Sequence, residues 1–153
     1  MYRSVYDLKA FYNSRPGRVV ARILRERIAE FWPHEKGLSI LGCGYAIPYL
    51  ADFLNLTERV FATMPAMQGA DAWPENAKNL VCLAEENELP FETSSIDRIL
   101  LVHDVEFSQF LESKLQEIWR VLKPNGRLLV LVPNRMGLWS RADWSPFGQG
   151  TPY

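Results

Sequence analysis

Apolar side chains at Val20, Ile23, Leu24, Ile28 and Phe31 recur at the spacing of one helix face, and Pro33 closes the segment. Residues 1–37 read as helical on this pattern, with a turn at Arg15-Pro16-Gly17. The opposite face carries Arg22, Arg25, Glu26 and Arg27 and is expected to be solvated. From residue 38 onward the pattern changes to short apolar runs alternating with helical stretches. Strands are predicted over 38–41, 59–64, 79–83, 96–102 and 127–133, and a helix over 47–54 with Pro48 in its first turn. A second helix precedes the fifth strand, with Leu111, Leu115, Ile118 and Leu122 on its apolar face and Pro124-Asn125-Gly126 as its stop. Between the second and third strands, MPAMQGADAWPENAKN has no clean period and reads as irregular with one short helix. The runs RILLV and RLLVLV are continuous, not alternating, which is the signature of parallel strands covered on both faces. These features define an α/β, doubly wound chain. Residues 38–134 form its core, and residues 135–153, rich in Gly, Trp, Pro and Ser, form an irregular tail.

Composition narrows the function classes. A chain of 153 residues with 48% hydrophobic and 23% charged residues is expected to fold as one ordinary globular domain. Its net charge of -1 gives no electrostatic reason to expect nucleic acid or an anionic membrane as partner. No apolar run is long enough to span a bilayer and the N-terminus does not read as a secretory signal, so a cytoplasmic location is expected. Cys43 and Cys82 lie in apolar contexts without metal-ligand spacing; both are predicted to be buried thiols, and no metal site is expected. His34, between Pro33 and Glu35, reads as a surface turn residue.

The stretch SILGCGYAIPYL, residues 39–50, places a Gly-x-Gly turn after the first strand and before a helix. In open α/β sheets ligands bind outside the carboxyl ends of the strands, where strand order reverses. Glycine there permits a positive φ and close approach to the backbone. A tight strand-to-helix turn without a ligand would use the same residues. A nicotinamide site is disfavoured: Ile47 stands at the third glycine position, and the second strand ends Phe61-Ala62-Thr63-Met64, without an acid for the ribose.

Three segments taken together, GLSILGCGYA, LPFETSSIDRILLVHDVEF and LQEIWRVLKPNGRLLVLVPN, resemble in sequence and spacing the class I S-adenosylmethionine (SAM)-dependent methyltransferases of the type 11 methyltransferase-domain group. The flanks DLKAFYNSRPGR and GLWSRADWSPFGQGTPY are similar to a bacterial, alphaproteobacterial branch of that group. The resemblance implies a Rossmann-like, mostly parallel sheet of order 3-2-1-4-5. It also implies SAM as cofactor and a small-molecule methyl acceptor. By the same resemblance Gly42, Cys43, Gly44, Tyr45 and Ala46 form the cofactor turn, Met64 stands at the end of the second strand, Glu85 lies near the adenine amino group, and Tyr12 is an aromatic that folds over the cofactor. His103 is the candidate acceptor-side base, with Asp104 and Glu106 beside it. Read from the residues alone, His103 is a strand-end histidine, Asp104 a helix cap, and Phe11 and Tyr12 a helix-face core pair.

Departures from the family pattern are equally specific. Ile40 and Met64 stand where the family carries acids, Ala46 where it carries a third glycine, and Phe107 where many relatives carry histidine. Each charge-assisted hydrogen bond so lost is worth on the order of 1.5–3 kcal/mol, so weak SAM binding is expected. A competing reading is a catalytically silent methyltransferase-like domain acting as an interaction subunit. Relatives continue past the fifth strand with a helix and an antiparallel pair, two strands not found here. Residues 127–132 are therefore expected to form an exposed apolar edge, with three explanations open: a fragment of a longer enzyme, a homodimer mate or partner chain that covers the edge, or a tail that folds back on it. Trp139, Trp144, Phe147 and Tyr153 in that tail are candidates for an acceptor pocket or an interface.

Overall fold

A computed structural model describes residues 4–33 and 36–134. His34, the tail from 135 onward and its four aromatics lie outside the described residues. Two helices open the chain: α1 (Val5–Asn13) and α2 (Arg15–Phe31). Ser4 caps α1 by accepting from Tyr6 N. Ser14 both ends α1 and starts α2, because its Oγ donates to Phe11 O at 2.6 Å and accepts from Gly17 N at 3.2 Å. The predicted turn at Arg15-Pro16-Gly17 is therefore corrected: these residues form the first helical turn of α2, where proline is tolerated. Gly17 lets the helices close, since a Cβ there would lie 2.0 Å from Phe11 O. The inward stripe of α2 is Gly17, Ala21 and Ile28, with Leu24 packed against the core. Ile23 and Phe31, expected inward, are exposed.

The sheet comprises β1 (Ser39–Gly44), β2 (Arg59–Pro65), β3 (Val81–Ala84), β4 (Ile96–Val102) and β5 (Leu122–Leu131) in the order β3-β2-β1-β4-β5. All four pairings are parallel, as the continuous apolar runs predicted. One core, on the side of α1 and α2, gathers Leu8, Ile28, Ile40, Tyr49 and Met64. The other, against helix α4 (Leu111–Val121), gathers Leu41, Ile99, Leu101, Ile118 and Val121. Helices thus cover both faces.

Several boundaries move for physical reasons. The helix expected over 47–54 is split into α3 (Ile47–Leu50) and a 3₁₀ turn, Ala51–Phe53. The third strand starts at Val81 because the Asn79 amide is spent on a loop clip, accepting from Trp73 N and Val81 N. No helix forms between β2 and β3 among the described residues. α4 ends at Val121, and Pro124-Asn125-Gly126 lie within a register irregularity of β5, between the pairs Ile96↔Leu122 and Arg98↔Arg127.

The predicted apolar face of α4 holds at Ile118 and at Leu122 beyond its end but not at Leu111 and Leu115. Its buried residues are Lys114, Ile118 and Val121, whereas Leu111 and Leu115 are 43% and 42% exposed and Trp119 is 79% exposed. β5 is a sheet edge with Leu128 and Val130 exposed. Cys43 is buried, but Cys82, expected buried, is exposed on β3. No described helix is long and apolar enough to cross a membrane.

Candidate functional site

Strand order reverses at β1, which has β2 on one side and β4 on the other, so the carboxyl ends of these three strands bound a crevice. Gly44 closes β1 with φ +73°, and Tyr45 N next to it donates to Val102 O at 2.8 Å. A Cβ on Gly44 would lie 2.3 Å from that same carbonyl oxygen. At Gly42 it would meet Ala46 Cβ at 2.5 Å and Leu50 Cδ1 at 2.8 Å. Both glycines are thus demanded by the closeness of the turn to its own neighbours. Gly42 and Ala46 are buried beneath the crevice and hold the turn's shape.

On one side of the turn lies a small cavity of about 20 Å³, lined by Cys43, Gly44, Met64, Glu85, Asp104 and Lys114 among others. Four of the residues expected to hold a cofactor therefore converge, from the ends of β1 and β2 and from just beyond β3. Met64 itself is completely buried, as core. On the other side of the turn a larger cavity, about 390 Å³, is lined by Tyr12, Tyr45, Ile47 and Trp73 together with charged residues including Arg18 and Asp71. Tyr12 and Tyr45 thus face a different space from Gly44 and Glu85.

The small cavity ends on a buried ion pair that sequence reasoning missed. Lys114 Nζ lies 2.6 Å from Asp104 Oδ1 and 3.8 Å from Glu86 Oε2, with Lys114 and Asp104 only 3% and 1% exposed. Glu86 is held in turn by the Ser108 hydroxyl. Asp104 Oδ2 is buried without a hydrogen-bond partner. Burial raises the Asp104 pKa above the usual carboxylate value, against the attraction of Lys114. Asp104 is not the helix cap expected of it: its side chain makes no cap bond to the 3₁₀ turn Val105–Phe107, and Glu106 Oε2 instead accepts from Asp104 N at 3.0 Å.

His103 occupies the left-handed region at φ +51° and is buried. Its Nδ1 is 3.2 Å from Glu106 Oε1 and its Nε2 is 2.8 Å from the Tyr12 hydroxyl, which is also 2.8 Å from the Tyr49 hydroxyl. A carboxylate only accepts, so Nδ1 carries the hydrogen; in the neutral imidazole Nε2 accepts from Tyr12, and the Tyr12 oxygen accepts from Tyr49. Burial raises the Tyr12 pKa well above the ordinary phenol value and pushes Tyr49 up to about 12. The Tyr12 ring stacks on Tyr45 at 5.8 Å and 26°. Tyr12 is therefore a core residue that links His103 to the wall of the larger cavity.

Lys114, Glu86 and Tyr49 were not foreseen. The 114/118/121 spacing was available as a helix face, but a lysine among leucines reads as solvated. Phe107 is buried. Among the described residues no cluster of His, Cys, Asp and Glu is arranged to hold a metal.

Comparison with known proteins agrees with this architecture. The chain is similar in fold to the YcgJ protein of Bacillus subtilis, with TM-score 0.59 and 18% identity over 71% of this chain and 50% of that one. It is similar to a protein of Methanococcus maripaludis assigned as an S-adenosyl-L-methionine-dependent methyltransferase, with TM-score 0.60 and 17% identity over 85% of this chain and 65% of that one. It is also similar to the [4+2]-cyclase SpnF, with TM-score 0.59 and 20% identity over 77% of this chain and 47% of that one. This chain thus spans about half to two thirds of the length of these structures. No curated protein matches it. A family model described as a methyltransferase domain matches residues 40–130, more than half of the sequence, and the chain belongs to that methyltransferase-domain family.

Proposed function

We propose that this chain binds S-adenosylmethionine at the end of β1 and transfers its methyl group to a small molecule. The observation that carries this reading is the convergence of Cys43, Gly44, Met64 and Glu85 with Asp104 on one cavity at the point where strand order reverses. Bound there, the cofactor supplies a methyl group on a cationic sulfur, a leaving group that needs no acid assistance.

The donors and acceptors present suit that group. Glu85 is an exposed carboxylate able to accept an amino N–H, and Asp104 Oδ2 is an unpartnered buried acceptor. Gly44 keeps the backbone free of a side chain at the crevice. Space is the restriction, because a cavity of about 20 Å³ is far below the roughly 300–1,000 Å³ of a ligand pocket. Occupancy therefore requires the lining, to which α4 contributes Lys114 and Ile118, to open.

The cavity of about 390 Å³ has the size for a small molecule, with aromatic walls from Tyr12, Tyr45 and Trp73 and charges of both signs, and it can hold an acceptor only if it joins the cofactor's cavity across the turn, so that acceptor and methyl touch. His103 reaches it only through Tyr12. A proton leaving an acceptor O–H or N–H would pass to the Tyr12 oxygen as the Tyr12 proton moves to His103 Nε2, with Glu106 stabilising the imidazolium. The high pKa of Tyr12 favours such a coupled transfer over a free phenolate.

Calorimetric titration with SAM tests the reading. Saturable binding to the native chain, weakened about tenfold by Glu85→Gln, is the expected result for one lost charge-assisted hydrogen bond. A folded chain that gives no heat at millimolar ligand would point instead to a catalytically silent interaction domain.

A further inference from the structure

We propose that the cavity of about 390 Å³ beside the β1 turn is a ligand site for a planar aromatic carboxylate, with the Arg25 guanidinium as the carboxylate anchor. This gives a chemical class to an occupant that the methyl-transfer reading leaves open, and binding there needs no SAM.

The charges around this cavity are sorted by side. On the side of the loop after β2, Lys9 Nζ holds Asp71 Oδ1 at 2.9 Å, and the Glu75 charge also acts on Lys9. That pole is paired within itself and has little to offer a ligand cation. The opposite side is one face of α2, where the spacing of three and four residues sets Arg18, Ala21 and Arg25 in a row. Ala21 is small, so it takes up little of the space that the two arginines flank. Both arginines rest on neutral carbonyls: Arg18 Nη1 donates to Asn13 O at 2.9 Å, and Arg25 Nε donates to Pro48 O at 2.5 Å. Asp52, 3.9 Å from the same Nε, does not line the cavity. Among the described residues the two Nη groups of Arg25 have no hydrogen-bond partner. With Nε fixed, they form a planar pair of donors that matches the two oxygens of a carboxylate. The Arg25 charge also lowers the Tyr49 pKa against burial, which sets the anchor within electrostatic reach of the Tyr49–Tyr12–His103 chain.

The walls supply the second half of the match. Tyr45 and Trp73 line the cavity, and Tyr12 stacks on Tyr45 at 5.8 Å, bracing its ring. Flat aromatic surfaces take a flat aromatic guest in offset or edge contact. The volume already lies in the range of small-molecule sites, so no wall has to move. An aliphatic acid would satisfy Arg25 and leave the rings unused, and an aromatic amine would satisfy the rings and meet a cation. An aromatic acid meets both.

Calorimetric titration without SAM tests the site, using 2-naphthoate, its neutral amide and 2-naphthylmethylamine as probes and circular dichroism to check that each variant folds. The native chain should bind the acid about tenfold tighter than the amide, as one two-pronged charge-assisted contact warrants, and the amine most weakly. Arg25→Gln should abolish the preference for the acid while leaving the amide unchanged. Should that variant fail to fold, Arg25→Lys keeps the charge but loses the fork, and the preference should fall several-fold. Arg22→Gln removes an exposed charge of α2 outside the cavity and should change nothing. Trp73→Leu should weaken acid and amide alike. Equal binding of acid and amide, a preference for the amine, or a preference that survives both Arg25 variants overturns the site, and so does a folded native chain that binds none of the probes. SAM is titrated separately on the same samples. A flat SAM titration beside bound 2-naphthoate counts against the cofactor reading alone, and SAM binding without 2-naphthoate binding counts against this site alone.

Discussion

The Tyr12 hydroxyl lies 2.8 Å from His103 Nε2, joining the first helix to the end of the fourth strand across 91 residues. Tyr12→Phe should leave Nε2 and the Tyr49 hydroxyl without this partner in a buried setting, at a cost of about 1–3 kcal/mol. Chemical denaturation measures that loss. Nitrogen NMR of the native chain should show hydrogen on His103 Nδ1; the opposite tautomer would break the Tyr12–His103–Glu106 relay.

Asp104 and Lys114 form the most deeply buried ion pair described. Asp104→Ala removes the nearest partner of a buried ammonium and should destabilise the fold by about 3–5 kcal/mol, lowering Tm by on the order of 10 °C. Lys114→Met/Asp104→Asn, which removes both charges, should recover most of that loss in the same thermal melt.

Gly44 has φ +73° and no room for a methyl group beside Val102 O. Gly44→Ala should cost about 1–2 kcal/mol for the left-handed backbone and roughly 1–3 kcal/mol for overpacking. Denaturant unfolding checks the sum, and a near-neutral variant would mean that the turn is looser than described.

Glu117 accepts from Leu89 N and pairs with Arg120, whose hydrogen bond holds the carboxyl pKa below its usual 4.5 despite some burial. A depressed carboxylate gives stability that is present above that value and lost as pH falls through the folded pKa. Glu117→Gln should therefore weaken the fold at neutral pH, by about 1–3 kcal/mol, and the gap from the native chain should close as pH drops well below 4.5. Parallel unfolding curves across pH read this directly.

The two cysteines separate by burial. Cys82 is exposed, while burial and the nearby Asp104 push the Cys43 thiol up to about 12. A thiol-reactive chromophore should label one cysteine of the native chain quickly and the second only on unfolding.

The sheet was legible because β4 and β5 carry uninterrupted apolar runs; the pattern told truly for β4, which is buried along its length, while β5 pairs in parallel but is not covered on both faces, since Leu128 and Val130 are exposed. Gly42 and Gly44 were legible because a short-range turn leaves a short-range signature. Helix phase was harder to read. In α4 Ile118 was read correctly as inward, but the choice between Leu111/Leu115 and Lys114/Val121 beside it depends on what lies across the interface, and the partners of Lys114 come from Asp104 and Glu86, fixed only once the chain has folded. Ser14 against Arg15-Pro16-Gly17 shows the same limit: proline and glycine mark a turn or the first turn of a helix equally well, and the Ser14 hydroxyl decided. The role of Tyr12 was visible only in part, because its link to His103 spans most of the chain.

The most direct measurement is a calorimetric titration of the folded chain with SAM, at concentrations able to detect a Kd up to about 1 mM, or roughly -4 kcal/mol. The account predicts saturable binding at one site, weakened about tenfold by Glu85→Gln. A flat titration of the folded chain would contradict it.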